Sequence, residues 1–267
     1  MIRQPAVAGS FYPADANQLT SDVQRLLQTD VEPHQAYGII VPHAGYIYSG
    51  ALAGEVISTV EIPEKVILLG PNHHGAGPAL SVSNADEWLT PLGPIPVATE
   101  LRNQLVRDIP QLSLDNQAHQ YEHSLEVMLP FLLQRQAALE IIPIAVAWIG
   151  LEDCLNLGDA LAREIKRLGD DILLLASTDM NHFKPADETE RLDAMAIAAM
   201  TGYDPERLYQ VVRDNRISMC GVLPAVVVMQ AARKLGATSC QLIRHTHSGK
   251  VNGDYHNVVG YAGFTIQ

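Results

Sequence analysis

Six short runs rich in Ile, Leu and Val recur along the chain and are separated by segments with helical periodicity. The runs predict strands at residues 37–41, 65–69, 141–146, 171–176, 241–244 and 258–266. Several are continuously apolar, which is typical of strands covered on both faces. Apolar side chains spaced three and four residues apart predict helices at residues 122–133, 153–168, 187–200 and 222–235. Strands that alternate with helices predict an α/β fold, a single layered domain over residues 1–267 with a central, largely parallel sheet flanked by helices.

The composition narrows the classes of partner and the cellular location. The 267 residues include 30 acidic and 18 basic side chains, for a formal net charge of -12. This surplus argues against nucleic acid, whose phosphates are bound by clustered Lys and Arg. No apolar run reaches the length of about 18 residues that a membrane-spanning helix needs, so we expect no membrane partner. The three cysteines cannot all pair within one chain, and they predict a reducing, cytoplasmic location.

Three of the predicted strands run directly into loops that carry histidine. These loops contribute His43, His73, His74, Asp179 and His182. Ligands of open α/β sheets bind beyond the carboxyl ends of the strands, so these side chains are expected to meet in one pocket. Neighbouring side chains of a tandem pair usually point apart. We therefore expect only one of His73 and His74 to face that pocket.

Two further side chains stand near predicted helix starts. Cys220 comes directly before the predicted helix at 222–235, where the helix dipole lowers the pKa of a thiol. Burial as a small core residue is the alternative for this cysteine. His123 lies at the start of the predicted helix at 122–133 and is a candidate for the same pocket, with helix capping as the alternative. The chain has no phosphate-binding loop, dinucleotide-binding glycine pattern, nucleophile elbow or zinc-protease helix.

Seven short segments, taken in their order along the chain, together form one sequence pattern. They are residues 5–13 (PAVAGSFYP), 42–46 (PHAGY), 70–74 (GPNHH), 122–126 (EHSLE), 177–179 (STD) with His182, 220–221 (CG) and 259–262 (VGYA). This pattern resembles the Memo family, whose prokaryotic members are also called AmmeMemoRadiSam system protein B. The segments extend over nearly the whole chain, and together they are much more specific than any one alone.

The resemblance implies a fold similar to that of class III extradiol dioxygenases, which use non-haem Fe(II). It also implies that His43, His73 and Cys220 are the metal-site positions, with Asp179 and His182 in the same pocket. The dioxygenases bind iron with two histidines and a carboxylate, whereas the third ligand implied here is a thiol. A thiolate favours copper, zinc or iron in a different electronic state, so ring cleavage does not follow from the fold. The pair His245 and His247 is not part of the family pattern.

The first functional hypothesis is a metal-dependent redox enzyme of unknown substrate. In it, His43, His73 and Cys220 hold Fe(II) or copper, with zinc also compatible. The catalytic candidates are His182 as general acid or base, Asp179 as a group that orients a histidine, and His123. The alternatives are a non-catalytic binding or scaffold protein with a dioxygenase-like pocket for a peptide or an anion, and a metal-dependent hydrolase. The expected partner is a small molecule or peptide, and the family name suggests a functional link to AMMECR-type and radical-SAM proteins.

Overall fold

The computed structural model describes residues 1–27, 30–169 and 171–267. The strands in this part of the chain are β1 (Ile2–Arg3), β2 (Gly38–Val41), β3 (Lys65–Pro71), β4 (Leu80–Ser83), β5 (Glu87–Thr90), β6 (Gly93–Pro96), β7 (Ser113–Asp115), β8 (Glu140–Val146), β9 (Ile172–Ser177), β10 (His182–Lys184), β11 (Cys240–His247) and β12 (Val258–Ile266). The α-helices are α1 (Ala16–Leu26), α2 (Ala51–Ser58), α3 (Thr99–Asp108), α4 (Leu129–Arg135), α5 (Leu151–Leu168), α6 (Ala186–Thr201), α7 (Pro205–Asp214), α8 (Val222–Leu235) and α9 (Gly249–Asn252). No helix among these described residues is both long and apolar enough to cross a membrane.

One large sheet runs through the molecule with its strands in the order β10-β12-β2-β9-β3-β8-β4-β7, and β11 pairs with β12. The four central strands β2, β9, β3 and β8 are parallel, whereas β12 and β4 join them antiparallel. The predicted α/β fold is confirmed, with the parallel pairing concentrated at the centre of the sheet. β11 and β12 pair antiparallel because only residues 248–257 connect them, fewer than a parallel crossover needs.

Apolar layers cover both faces of the central strands, which explains their continuously apolar sequences. Successive side chains of a strand point to opposite faces. In β3, Ile67 and Leu69 therefore enter the layer formed with α5 and α8, while Val66 and Leu68 enter the layer formed with α1, α2 and α4. All four side chains are fully buried, and burial of each contributes about 1.5–3 kcal/mol. That residues 1–267 form a single domain stays a prediction.

The predicted helix at 122–133 is wrong at its start. Residues 122–125 are not helical, a 3-10 turn covers Glu126–Met128, and α4 begins only at Leu129. The cause is local, because the Glu122 side chain accepts hydrogen bonds from the backbone N–H groups of His123 and Ser124. A side chain that bonds nearby backbone groups offers the chain an alternative to the helix. The segment is therefore an irregular arm that leads into a helix.

The carboxyl ends of β2, β9 and β3 lie side by side at one edge of the sheet, because these strands are parallel neighbours. The loops that follow them emerge at the same edge, as the sequence predicts. The irregular arm before α4 reaches this edge as well, since the hydroxyl of Ser124 donates to the backbone carbonyl of Pro71 at the end of β3. Four separate segments thus converge at one place on the molecule.

Candidate metal centre

Three histidine rings meet where these segments converge. His43 follows β2, His73 follows β3, and His123 lies in the arm before α4. Donor atoms from the three residues lie within 4.8 Å of one another. The rings of His73 and His123 stack with their centroids 4.7 Å apart, and the ring of His43 meets them edge-on at 5.3 and 5.4 Å. Imidazole is a good ligand for zinc, copper, iron and nickel, so this cluster could hold a metal ion.

His43 is the most enclosed of the three, with 1% of its surface exposed. Its Nδ1 lies 2.9 Å from the hydroxyl of Ser177 at the end of β9, and its Nε2 lies 3.3 Å from the sulfur of Cys220. Burial, together with the neighbouring His123 and His73, lowers the pKa of His43 well below its ordinary value. The ring is therefore neutral near pH 7 and keeps a lone pair for a ligand.

Glu122 holds the other two histidines in place. Its fully buried carboxylate accepts hydrogen bonds from Nδ1 of His73 at 2.8 Å and from the backbone N–H of His73 at 2.6 Å. It also accepts from the backbone N–H of His123 at 3.0 Å. Burial alone would raise the pKa of Glu122, but His73 and these N–H donors bring the pKa well below its usual range. A carboxylate on one ring nitrogen is the usual outer partner of a metal-binding histidine, and it leaves Nε2 of His73 as the free donor.

The structure brings His123 into the cluster itself. Its ring packs against Phe11, with centroids 4.6 Å apart, on the side facing the N-terminal segment. Burial lowers the pKa of His123 to about 4, although the charge of Glu122 acts in the opposite direction. The helix-capping alternative for this histidine does not hold, because no helix starts there. His123 is thus a neutral imidazole placed to act as a ligand.

Cys220 stands beside the cluster but is not one of its three members. Its sulfur, which lies 3.3 Å from Nε2 of His43, accepts a hydrogen bond from the backbone N–H of Asp179 at 3.2 Å. Burial, reinforced by the charge of Asp179, raises the pKa of the thiol. The predicted lowering of this pKa is therefore wrong, because burial outweighs the dipole of α8. Two ligands of one tetrahedral ion stand about 3.5 Å apart, so the sulfur is close enough to serve as a further donor beside His43.

Asp179 and His182 line the same edge and are fixed by backbone contacts. The carboxylate of Asp179 accepts a hydrogen bond from the backbone N–H of His43 at 2.8 Å, and burial raises its pKa to about 7. Nδ1 of His182 lies 2.8 Å from the backbone carbonyl of Ser218, so that nitrogen carries the proton and Nε2 keeps the lone pair. Burial lowers the pKa of His182. Both side chains lie where the loop sequences place them.

The remaining histidines with open roles lie away from the cluster. The Nε2 of His74 lies 3.0 Å from the backbone carbonyl of Tyr121, and His74 is not part of the three-histidine group, so His73 alone of the tandem pair belongs to the cluster. Nε2 of His245 lies 2.8 Å from Asp193. His247 contacts a different carboxylate, and the two histidines join no metal-ligating group among the residues that the structure describes.

The N-terminal segment closes the side of the site that carries His123. Glu126 is fully buried and accepts hydrogen bonds from the backbone N–H groups of Ala6 and Val7 and from the hydroxyl of Tyr12. It also forms a buried ion pair with Arg3. These contacts fasten residues 3–12 beside the irregular arm and bring Phe11 onto the ring of His123.

Sequence reasoning singled out the metal-site candidates but missed two groups that orient them, Ser177 and Glu122. Ser177 is the last residue of β9 and Glu122 directly precedes His123. Both stand in the segments that carry the family resemblance, and this position is the signal that could have identified them. Their roles depend on which loop lies opposite, which the order of residues does not show.

The chain is similar to known proteins in sequence and in fold. A family model described as Memo-like protein matches residues 3–265. The chain is 44% identical to a MEMO1 family protein of Aquifex aeolicus, with 98% of each chain covered. It is 37% identical to another of Methanothermobacter thermautotrophicus, with 98% of this chain and 99% of that protein covered. The crystal structure of an uncharacterized protein from Escherichia coli K12 has the same fold, with a TM-score of 0.63 and 14% identity over 87% of this chain and 100% of that chain.

Proposed function

The chain belongs to the Memo-like protein family, and we propose that it is a metal-dependent redox enzyme whose ion is held by His43, His73 and His123. The observation that carries this proposal is the approach of three histidine donor atoms to within 4.8 Å of one another. The chemistry of the donors fits a transition metal, because nitrogen ligands suit iron, copper and zinc alike. When bound, iron or copper would supply the one-electron chemistry that amino-acid side chains lack.

The surroundings of the cluster favour redox chemistry over hydrolysis. The thiol of Cys220, 3.3 Å from Nε2 of His43, is a soft donor that suits copper and iron as well as zinc, so it is compatible with a redox metal. Metal-dependent hydrolases commonly use a free carboxylate to take a proton from water. Glu122 is instead committed to the backbone and ring of His73, and Asp179 to the backbone of His43.

His182 is the side chain best suited to move a proton in this pocket. Its Nδ1 is tied to a backbone carbonyl, which leaves Nε2 as the basic nitrogen. The hydroxyl of Ser218 also accepts a hydrogen bond from the backbone N–H of His182 at 2.7 Å, so Ser218 contacts both the backbone and the ring of His182. We assign His182 the role of proton acceptor and donor, and Asp179 that of positioning the backbone of His43.

Removal of single histidines tests the metal site. We expect untagged wild-type protein, stripped and reloaded anaerobically with Fe(II) or Cu(I), to retain about one ion per chain by elemental analysis. His43→Ala and His123→Ala each remove one of three ligands and are expected to lose most of that ion. His256→Ala is the matched control, because His256 is exposed and distant in sequence from the cluster. Equal metal content in all four proteins would contradict the proposed site.

Activity and binding assays on the metal-loaded protein distinguish the three functional hypotheses. Reductant-dependent O2 uptake that disappears in His123→Ala would support the redox proposal. Ester hydrolysis by the zinc-loaded protein without O2 uptake would assign the site to the hydrolases. Tight peptide binding with neither activity would favour the scaffold alternative. A link to AMMECR-type and radical-SAM proteins stays a prediction, which co-purification from cells would test.

Glu122→Gln is expected to weaken metal binding without removing a ligand. The amide keeps the size of the side chain, but it removes the charge that polarises His73 and places an N–H group against other donors. Loss of such an outer partner lowers metal affinity by about 10- to 100-fold. Competition with a chelator of known affinity measures this change. Glu152→Gln on the exposed side of α5 is the control, and an unchanged affinity in Glu122→Gln would show that the carboxylate only folds the arm.

A further inference from the structure

A cavity of about 550 Å³ adjoins the histidine cluster. His73 and Cys220 are among its lining residues, so a molecule inside the cavity reaches the proposed metal site. Its volume is within the range of pockets that hold small organic molecules. The proposed function leaves the substrate open, and the lining of this cavity carries information about it.

The walls of the cavity are predominantly apolar and partly aromatic. Aliphatic side chains of β8, α7 and α8 contribute, among them Val146, Val212 and Leu223, and Tyr209 adds an aromatic ring. Trp148 also lines the cavity, although 92% of its surface is exposed. A large aromatic side chain that packs against so little of its own protein is available to stack on a ligand. These walls favour an apolar body with an aromatic ring.

One cation at the same cavity is available for a ligand. Arg213 and Arg216 both line the cavity, and both are exposed. Arg213 is held by Asp214, with which it forms a 3.0 Å ion pair. The guanidinium of Arg216 makes no hydrogen bond or ion pair with any residue that the structure describes. An unpaired guanidinium binds a carboxylate through two parallel hydrogen bonds.

We infer that the cavity binds a small aromatic carboxylate, with its ring against Trp148 and Tyr209 and its carboxylate on Arg216. That the bound carboxylate is a substrate rests on the proposed function, whereas its binding to the cavity does not require a metal. The attraction of an anion is notable because the chain as a whole carries a net charge of -12. Arg216 would therefore act as a local determinant of specificity in an otherwise acidic protein.

Calorimetric titration with 1-naphthoate, and with the neutral analogue 1-naphthalenemethanol, tests the inference. Wild-type protein is expected to bind 1-naphthoate more tightly than the alcohol. Arg216→Gln is expected to raise the Kd for 1-naphthoate by about tenfold, because one charge-assisted contact is lost, and to leave the Kd for the alcohol unchanged. Trp148→Ala is expected to raise both Kd values by about three- to tenfold. Both changed side chains are exposed, so neither substitution opens the core.

Arg191→Gln on α6 is the matched control, because Arg191 is an exposed arginine outside the cavity. Equal affinity of wild-type protein for the acid and the alcohol, or no effect of Arg216→Gln, would overturn the inference. Metal binding without any 1-naphthoate binding would refute the substrate class and leave the proposed metal site standing. Binding of 1-naphthoate that depends on Arg216, in a protein that retains no metal, would refute the proposed function and leave the ligand class supported.

Discussion

Glu126→Ala is expected to lower the free energy of unfolding by about 3–5 kcal/mol, because it leaves the buried guanidinium of Arg3 without its charge partner. Three further donors, the N–H groups of Ala6 and Val7 and the hydroxyl of Tyr12, lose their acceptor at the same time. Urea unfolding followed by circular dichroism measures the change. The N-terminal segment should also detach from the ring of His123, which would weaken metal retention.

Two further variants separate this effect from ordinary loss of a carboxylate. Glu64→Ala removes an exposed carboxylate and is expected to change stability by less than about 0.5 kcal/mol. Arg3→Met combined with Glu126→Met replaces both charges with apolar groups and should recover part of the lost stability. A loss below about 1 kcal/mol in Glu126→Ala would show that the buried network does not anchor the N-terminal segment.

Gly221→Ala is expected to lower the free energy of unfolding by about 3 kcal/mol and to disturb the metal centre as well. A Cβ atom at this position would lie 2.2 Å from the backbone carbonyl oxygen of Ser177 and 2.5 Å from Cβ of Thr178. Neither neighbour is the flexible end of a side chain, so α8 and the end of β9 must move apart. Cys220 precedes this glycine, and its 3.3 Å approach to His43 would be lost.

Thermal unfolding and the absorption spectrum of the copper-loaded protein measure the two consequences of Gly221→Ala. Gly150→Ala is the matched control, because a Cβ there would meet Asp153 at 3.5 Å, an ordinary contact. We expect the control to change stability by less than about 1 kcal/mol. Wild-type stability and an unaltered copper spectrum in Gly221→Ala would show that the close approach of α8 to β9 does not set the position of the thiol.

Much of the fold follows from local pattern. The central strands are predictable because burial on both faces requires continuous apolar runs, and α5 and α8 are predictable from their periodicity. Strands β4 to β7 escape prediction because they are three or four residues long, too short to establish a period. The start of α4 escapes it for another reason, since one glutamate side chain takes the N–H groups that a helix would need to leave free.

The residues of the candidate site also differ in how far the sequence predicts their positions. His43, His73, Asp179 and His182 are predictable, because the carboxyl ends of parallel neighbouring strands must emerge at one edge of the sheet. For His123 the sequence leaves two alternatives, the pocket and a helix cap, because the choice depends on the arm before α4 and on the contact of that arm with the end of β3.

The sequence by itself determined the α/β class, the family pattern and the loops that supply the histidines, because these depend on residues close together along the chain. The tertiary structure alone decided that His123 joins the cluster, that burial raises the pKa of Cys220, and that Arg216 and Trp148 border the adjoining cavity. The physical reason is that burial and the distances between loops depend on segments far apart in the chain. A helix dipole can be anticipated from local residues, but the desolvation that outweighs it at Cys220 appears only when the whole chain has packed.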